Sequence, residues 1–306
     1  MGFPELFDKL PCGLRLRRLF ATLWAEMTFP QSCPPGHFYS PIPAREELRR
    51  DRKRIFNTSV RSLPEIDLNE SEQLVLLQRL AARAATFRLA HTPTEGRRYY
   101  ANNDYFTLAD ALVLATMLIE HKPERYLEIG SGFSSALALD VRDHLLGRKL
   151  QCAFADPNPG RLRSLIGTST DGGIEILEER IQDVPDHRFQ ALSSGDVLFV
   201  DGSHIAKVGS DVNDVIFRVL PLLQVGVLVH FHDIWWPFEY RAGDVLRGRS
   251  WNEAYLLRAF LSDNRRYEIL LFGSWLQHCH SAEWCAAFPT AEGSVASSLW
   301  LRKVRT

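Results

Sequence analysis

Residues 125–134 read Arg-Tyr-Leu-Glu-Ile-Gly-Ser-Gly-Phe-Ser, and a second apolar run, Cys152-Ala153-Phe154-Ala155, ends in Asp156. The first run closes on Glu128. A Gly-x-Gly turn follows at Gly130 and Gly132, and a helix-compatible stretch opens at Ser134. An α/β sheet builds a nucleoside pocket in this way. The glycines let backbone approach the ligand, the helix start offers free N–H groups, and the acid after the next strand accepts both ribose hydroxyls.

The pattern is not the dinucleotide fingerprint, because Ser135 stands where a third glycine would admit a pyrophosphate. A carboxylate at Glu128 would repel a phosphate and attract an ammonium group. A ligand with an adenosine and a cationic amino-acid tail fits, and S-adenosylmethionine is such a ligand. A nicotinamide-dependent oxidoreductase would use the same turn and ribose acid, and it stands as the rival reading. A non-catalytic nucleoside-binding protein with the same fold is the other.

Outward from this turn the chain alternates. Strands are expected at 125–129, 150–155, 174–177, 197–201, 225–232, 267–272 and 298–303, with helical patterns between several of them. One helical stripe is Val212, Val215, Ile216, Val219 and Leu220. This rhythm predicts a doubly wound α/β fold with a mostly parallel sheet. Ligands in such sheets sit beyond the carboxyl ends of the strands. The informative residues should therefore follow the apolar runs. Asp201 and His204 follow one, and His232 and Asp233 close another. Two carboxylates and imidazoles around one mouth can hold a divalent metal through Asp201, His232 and Asp233. Alternatively, His232 serves as a general base oriented by an acid.

Upstream, residues 1–105 are expected to form an N-terminal helical extension with a proline-rich strap or lid, and 106–306 the Rossmann-like domain. Residues 30–43 are rich in proline and cannot be helix or central strand. Their His37, Phe38 and Tyr39 are what a lid would carry. Helices are expected over 70–90 and 107–120, the latter capped by Thr107. Tyr105 precedes the second helix; Trp235, Glu239 and Tyr240 follow the fifth strand, where they would wall an acceptor site.

Glu128-Ile-Gly130-Ser-Gly132, Asp156, Gln182-Asp183, Asp201-Gly-Ser-His204 and His232-Asp233 together resemble the class I S-adenosylmethionine-dependent methyltransferases. More narrowly, they resemble the small-molecule O-methyltransferase-like group. The resemblance implies a seven-stranded sheet ending in an antiparallel hairpin. It also implies that Glu128, Gly130 and Gly132, with Ser131 and Ser134 in the same turn, hold the methionine part. Asp156 would take the ribose, Gln182 and Asp183 the adenine edge, and Asp201 the neighbourhood of the amine or reacting centre. Metal-dependent relatives carry two acids after the fifth strand; His232-Asp233 departs from this and favours His232 as base.

Composition sets the remaining bounds. The chain has 306 residues, 45% apolar and 24% charged, with a formal net charge of −1. Such a balance offers no basic field for nucleic acid. Five cysteines, irregularly spaced, suggest no disulfide framework, so a reduced cytoplasmic setting is expected. Residues 14–29 are apolar but interrupted by Arg15, Arg17, Arg18 and Glu26, too charged for stable membrane insertion. A homodimer is expected by analogy with small-molecule enzymes of this type.

Overall fold

The computed structural model describes residues 32–167 and 172–306, with Leu23 and Met27 as isolated points before them. The rest of the apolar 14–29 segment and Cys12 lie outside the described residues. The chain divides into two compact units between Ile55 and Phe56, upstream of the boundary read from the sequence. In the first unit, Gly36 N–H donates to Ile42 O at 2.9 Å and folds the strap on itself. Phe38 and Tyr39 are exposed there, their ring centroids 4.0 Å apart. Short helices follow at Arg45–Arg50 and Arg52–Ile55.

The second unit holds a seven-stranded sheet: β1 (Arg125–Ile129), β2 (Gln151–Ala155), β3 (Ile174–Leu177), β4 (Val197–Val200), β5 (Leu228–Phe231), β6 (Tyr267–Phe272) and β7 (Leu299–Lys303). Their spatial order is β3-β2-β1-β4-β5-β7-β6, with β7 antiparallel to both neighbours and the others parallel. This is the doubly wound architecture expected from the strand–helix rhythm. β5 begins at Leu228 rather than 225. Gly226 adopts φ +90°, its carbonyl accepts from Gly195 N–H, and its own N–H turns to Lys303 O at 2.7 Å. The left-handed turn ends the approach before the strand can start.

Helices cover both faces. α1 (Glu70–Ala84) buries Leu76, Leu77 and Leu80. α2 (Leu108–His121) is capped by the Thr107 hydroxyl, which accepts from Asp110 N–H, as its sequence predicts. α3 (Phe133–His144) follows β1, with Ala136, Leu137, Ala138 and Leu139 wholly buried. Each such leucine contributes about 1.5–3 kcal/mol. Between β4 and β5 runs α4 (211–222), which opens into a π turn at Val215–Val219. Pro221 lacks the N–H that would close an α-helical bond to Phe217, and Leu220 N–H reaches back to Val215 O instead.

Asp110 sits on the first turn of α2 and is fully buried. Its carboxylate accepts from Ser297 N–H at 2.9 Å, Ser297 Oγ at 3.0 Å, Ser298 Oγ at 2.6 Å and Thr107 Oγ1 at 3.0 Å. One side chain thus ties the helix start to the segment entering β7. Asp110→Ala strands these buried donors and is expected to lower unfolding free energy by about 3 kcal/mol, read by urea denaturation.

Candidate active site

The register of the parallel strands decides what meets at their carboxyl edge. Ile129 lies opposite Ala155 and Val200, and Val200 opposite Phe231. The ladder continues one residue further. Gly130 N–H donates to Ala155 O, Asp201 N–H to Ile129 O and His232 N–H to Val200 O, each at 2.9 Å. Gly130, Asp156, Asp201 and His232 therefore emerge in one row. The row is tight: Gly130 has φ +86°, and a Cβ on it would lie 2.1 Å from the Asp201 carbonyl oxygen. Only glycine fits there.

A cavity of about 820 Å³ opens over this edge. At one end it is lined by Ser131, Asp156 and Gln182, in the middle by Asp201, His232 and Asp233, and at the other end by Trp235, Trp251 and a group of arginines. Asp156 is oriented by two bonds: Ser131 Oγ donates to Oδ2 at 2.5 Å and Asn158 N–H to Oδ1 at 2.7 Å. Gln182 stands on the short turn after β3 and donates to Gly209 O at 2.9 Å. Tyr105 reaches the cavity from the α2 side, stacked on Phe133 at 5.9 Å, with the Arg161 guanidinium 3.7 Å from its ring centroid.

The middle of the cavity is a network of acids and imidazoles. His204 is 5% exposed, and its Nδ1 lies 2.8 Å from Glu253 Oε2. Its Nε2 lies 3.3 Å from Asp201 Oδ1 and 3.8 Å from Asp233 Oδ2. Burial opposes charging this ring, but the bonds to Asp201 and Glu253 prevail and raise its pKa well above the usual histidine value. Burial would lift the Asp201 carboxyl too, yet His232 and His204 bring it down to about 2. His232 Nε2 is 3.7 Å from Asp233 Oδ1, and its Nδ1 is buried without a hydrogen-bond partner. Burial works against the His232 cation, but the charges of Asp233, Asp201 and Asp110 outweigh it and raise its pKa. Burial pushes Asp233 upward, and its Oδ1 lies 3.3 Å from the Ser297 hydroxyl that donates to Asp110. His204 and Asp233 both take left-handed backbone, φ +58° and +56°, which costs about 1 kcal/mol or more each.

Several residues singled out from the sequence lie elsewhere. Glu128 is fully buried behind the cavity wall, accepting from Tyr126 OH at 2.9 Å and Ser134 Oγ at 2.5 Å. Gly132 and Ser134 are buried with it at the start of α3. Asp183 turns outward to Arg180 at 2.7 Å. Tyr240 is core, its hydroxyl accepting from Ala254 N–H, and Glu239 accepts from Tyr255 OH at 2.6 Å. His230 is buried and stacks on Phe199 at 3.9 Å, its two nitrogens unpartnered. Tyr39 belongs to the first unit. Glu253 was missed: it opens a helix 49 residues from His204, and no local pattern announces the pairing. Among the described residues no group of three or more His, Cys, Asp or Glu side chains is placed to hold a metal ion.

Residues 127–234 match a family model described as a methyltransferase domain. An uncharacterised protein of Archaeoglobus fulgidus is 37% identical over 163 residues, covering 52% of this chain and 73% of its own length. Among solved structures, the S-adenosylhomocysteine-bound methyltransferase PaMTH1 of Podospora anserina is 14% identical with a TM-score of 0.42, over 86% of this chain and 98% of that one. The O-methyltransferase TomG of Streptomyces achromogenes is 13% identical with a TM-score of 0.38, over 85% and 99%.

The strand order, the glycine turn and the matched domain define a Rossmann-like methyltransferase. The chain belongs to the class I S-adenosylmethionine-dependent methyltransferases, in one family with the archaeal protein. That assignment sets aside the nicotinamide reading of the same turn.

Burial raises the Glu128 carboxyl to about 8, against the bonds from Ser134 and Tyr126. Folded chains then hold a proton that unfolded chains release at about pH 4.5. Stability from this group is complete below that value and is lost as pH rises towards 8. Unfolding free energy should fall by on the order of 4 kcal/mol between about pH 5 and pH 8 through this group. Chemical denaturation of Glu128→Gln across the same range should show a flatter profile.

Proposed function

We propose that the protein methylates a hydroxyl of a small polar or sugar-like acceptor, with His232 as general base. The observation that carries this reading is the single cavity that joins Asp156 to the Asp201–His204–His232–Asp233 network. Asp156, held by Ser131, accepts the ribose hydroxyls; Gln182 reads the adenine edge; the Gly130 backbone lets the cofactor approach. Asp201, kept anionic by its histidines, faces the cationic methionine part. Glu128 shapes the turn from behind through Ser134 rather than touching the ligand. The transferase core lies within 106–306, and the extension before it contributes Asp104 and Tyr105 to the cavity wall.

Methyl transfer from a sulfonium is an in-line displacement whose leaving group departs neutral. The enzyme must align the acceptor and take its proton. Alignment supplies most of the acceleration, and general-base assistance adds about 10²–10⁴-fold. His232 lines the cavity; its Nδ1 is buried, so the proton goes to Nε2, which lies 3.7 Å from Asp233 Oδ1. Asp233 stabilises the imidazolium that forms. The His204 cation, clamped between Asp201 and Glu253, keeps Asp201 ionised and in place.

His232→Gln is expected to lower kcat by about 10²-fold or more while leaving S-adenosylhomocysteine affinity within about twofold. Unchanged turnover in that variant rejects the base assignment. A base must be neutral, and nearby carboxylates raise the His232 pKa. Hence kcat/KM should rise with pH through a value above the ordinary histidine range of about 6.5. Asp233→Asn removes one raising charge and should move that limb to lower pH.

A further inference from the structure

We propose that the acceptor carries a phosphate monoester, seated on a cationic subsite made by Lys207, Arg241, Arg247 and Arg249; this deepens the methyl-transfer reading and rests on it. All four line the cavity with Trp235 and Trp251, on segments that follow β4 and β5. In the sheet order the arginines follow β5, three strands from the β2 that carries Asp156, and Lys207 follows β4, two strands from it.

The arginines are built in. Asp244 is buried and accepts from Arg241 Nε at 2.9 Å and Arg249 Nη1 at 3.1 Å. The Arg241 guanidinium also lies 4.7 Å from the Trp235 ring centroid, and that of Arg249 4.6 Å from Trp251. Each of these two arginines is fixed by a carboxylate and an indole, with further N–H donors uncommitted. A single carboxylate neutralises only one of the two charges. Arg247 and Lys207 have no ion-pair partner among the described residues. Lys207 is held at this end because Asn252 staples the preceding residue: Ala206 N–H donates to Asn252 Oδ1 at 2.6 Å and Asn252 Nδ2 to Ala206 O at 3.2 Å.

The remaining acids of the cavity centre are engaged. Asp201 and Asp233 face His204 and His232, and Asp211 accepts from Ser203 N–H and Oγ. Four cations against Asp244 and Asp211 leave an excess of two positive charges that a neutral acceptor cannot offset. A dianion does, and its three terminal oxygens can accept from more than one guanidinium fork at once.

Titration calorimetry with inorganic phosphate, with and without saturating S-adenosylhomocysteine, tests the subsite. Phosphate should bind the wild-type protein at one site, more weakly as ionic strength rises. The exposed double variant Arg247→Gln/Lys207→Gln should bind it about tenfold or more weakly and keep the wild-type affinity for S-adenosylhomocysteine. Acetate should bind at least about tenfold more weakly than phosphate. Absent phosphate binding, or equal binding by the variant, overturns the subsite. Acetate binding as tight as phosphate overturns the phosphate assignment in favour of a carboxylate. Failure of S-adenosylhomocysteine to bind overturns the methyl-transfer reading instead, and the phosphate titration without it still judges the subsite.

Discussion

The backbone of Gly130 runs so close to the Asp201 carbonyl that no side chain fits between them. That approach locks the turn after β1 onto the end of β4. The parallel ladder then carries the same level outward, to Asp156 on one side and His232 on the other. Four chemically different residues become neighbours because four strands end together. A slip of one residue in any pair would send the corresponding side chain to the opposite face, and the row would dissolve.

Around that row the protein manages an uncommon density of charge. Asp201, His204, His232, Asp233 and Glu253 are all largely buried, and each would be costly alone. Their signs alternate in space, so each ionised group has a counterpart within about one hydrogen bond or two. Beneath them, His230 stays neutral because burial depresses its pKa well below normal, and it packs on Phe199 as an aromatic ring would. Asp110 closes the arrangement from the helical side, holding Ser297, which in turn reaches Asp233.

Periodicity made the sheet legible. Every strand read from the sequence is present, and the acids and histidines following the apolar runs do gather where parallel strands would put them. Local pattern could not reveal depth. Glu128 looks like a ligand-facing acid in the sequence, but Tyr126, two residues before it on the same strand face, and Ser134 on the following helix enclose it. Nor could it reveal long-range partners. Glu253 reads as an ordinary acid in a first helical turn, Asp110 as a capping neighbour, and the arginines after β5 as solvated surface. Each acquires its meaning from a residue distant in the chain. The wall expected from Trp235, Glu239 and Tyr240 illustrates both effects, since Trp235 lines the cavity while Tyr240 turns into the core.

The placement of β7 bears on how this molecule can be made. It is last among the strands in sequence but sits between β5 and β6, and the segment entering it is the one Asp110 grips. While a nascent chain is still short of residue 299, β5 has an open edge and β6 has no neighbour at all. Until β7 is made, β5 and β6 lack the strand that joins them. A prematurely terminated product would not be a shorter enzyme but an unclosed one, with bare strand edges of the kind that chaperones capture and that aggregates recruit.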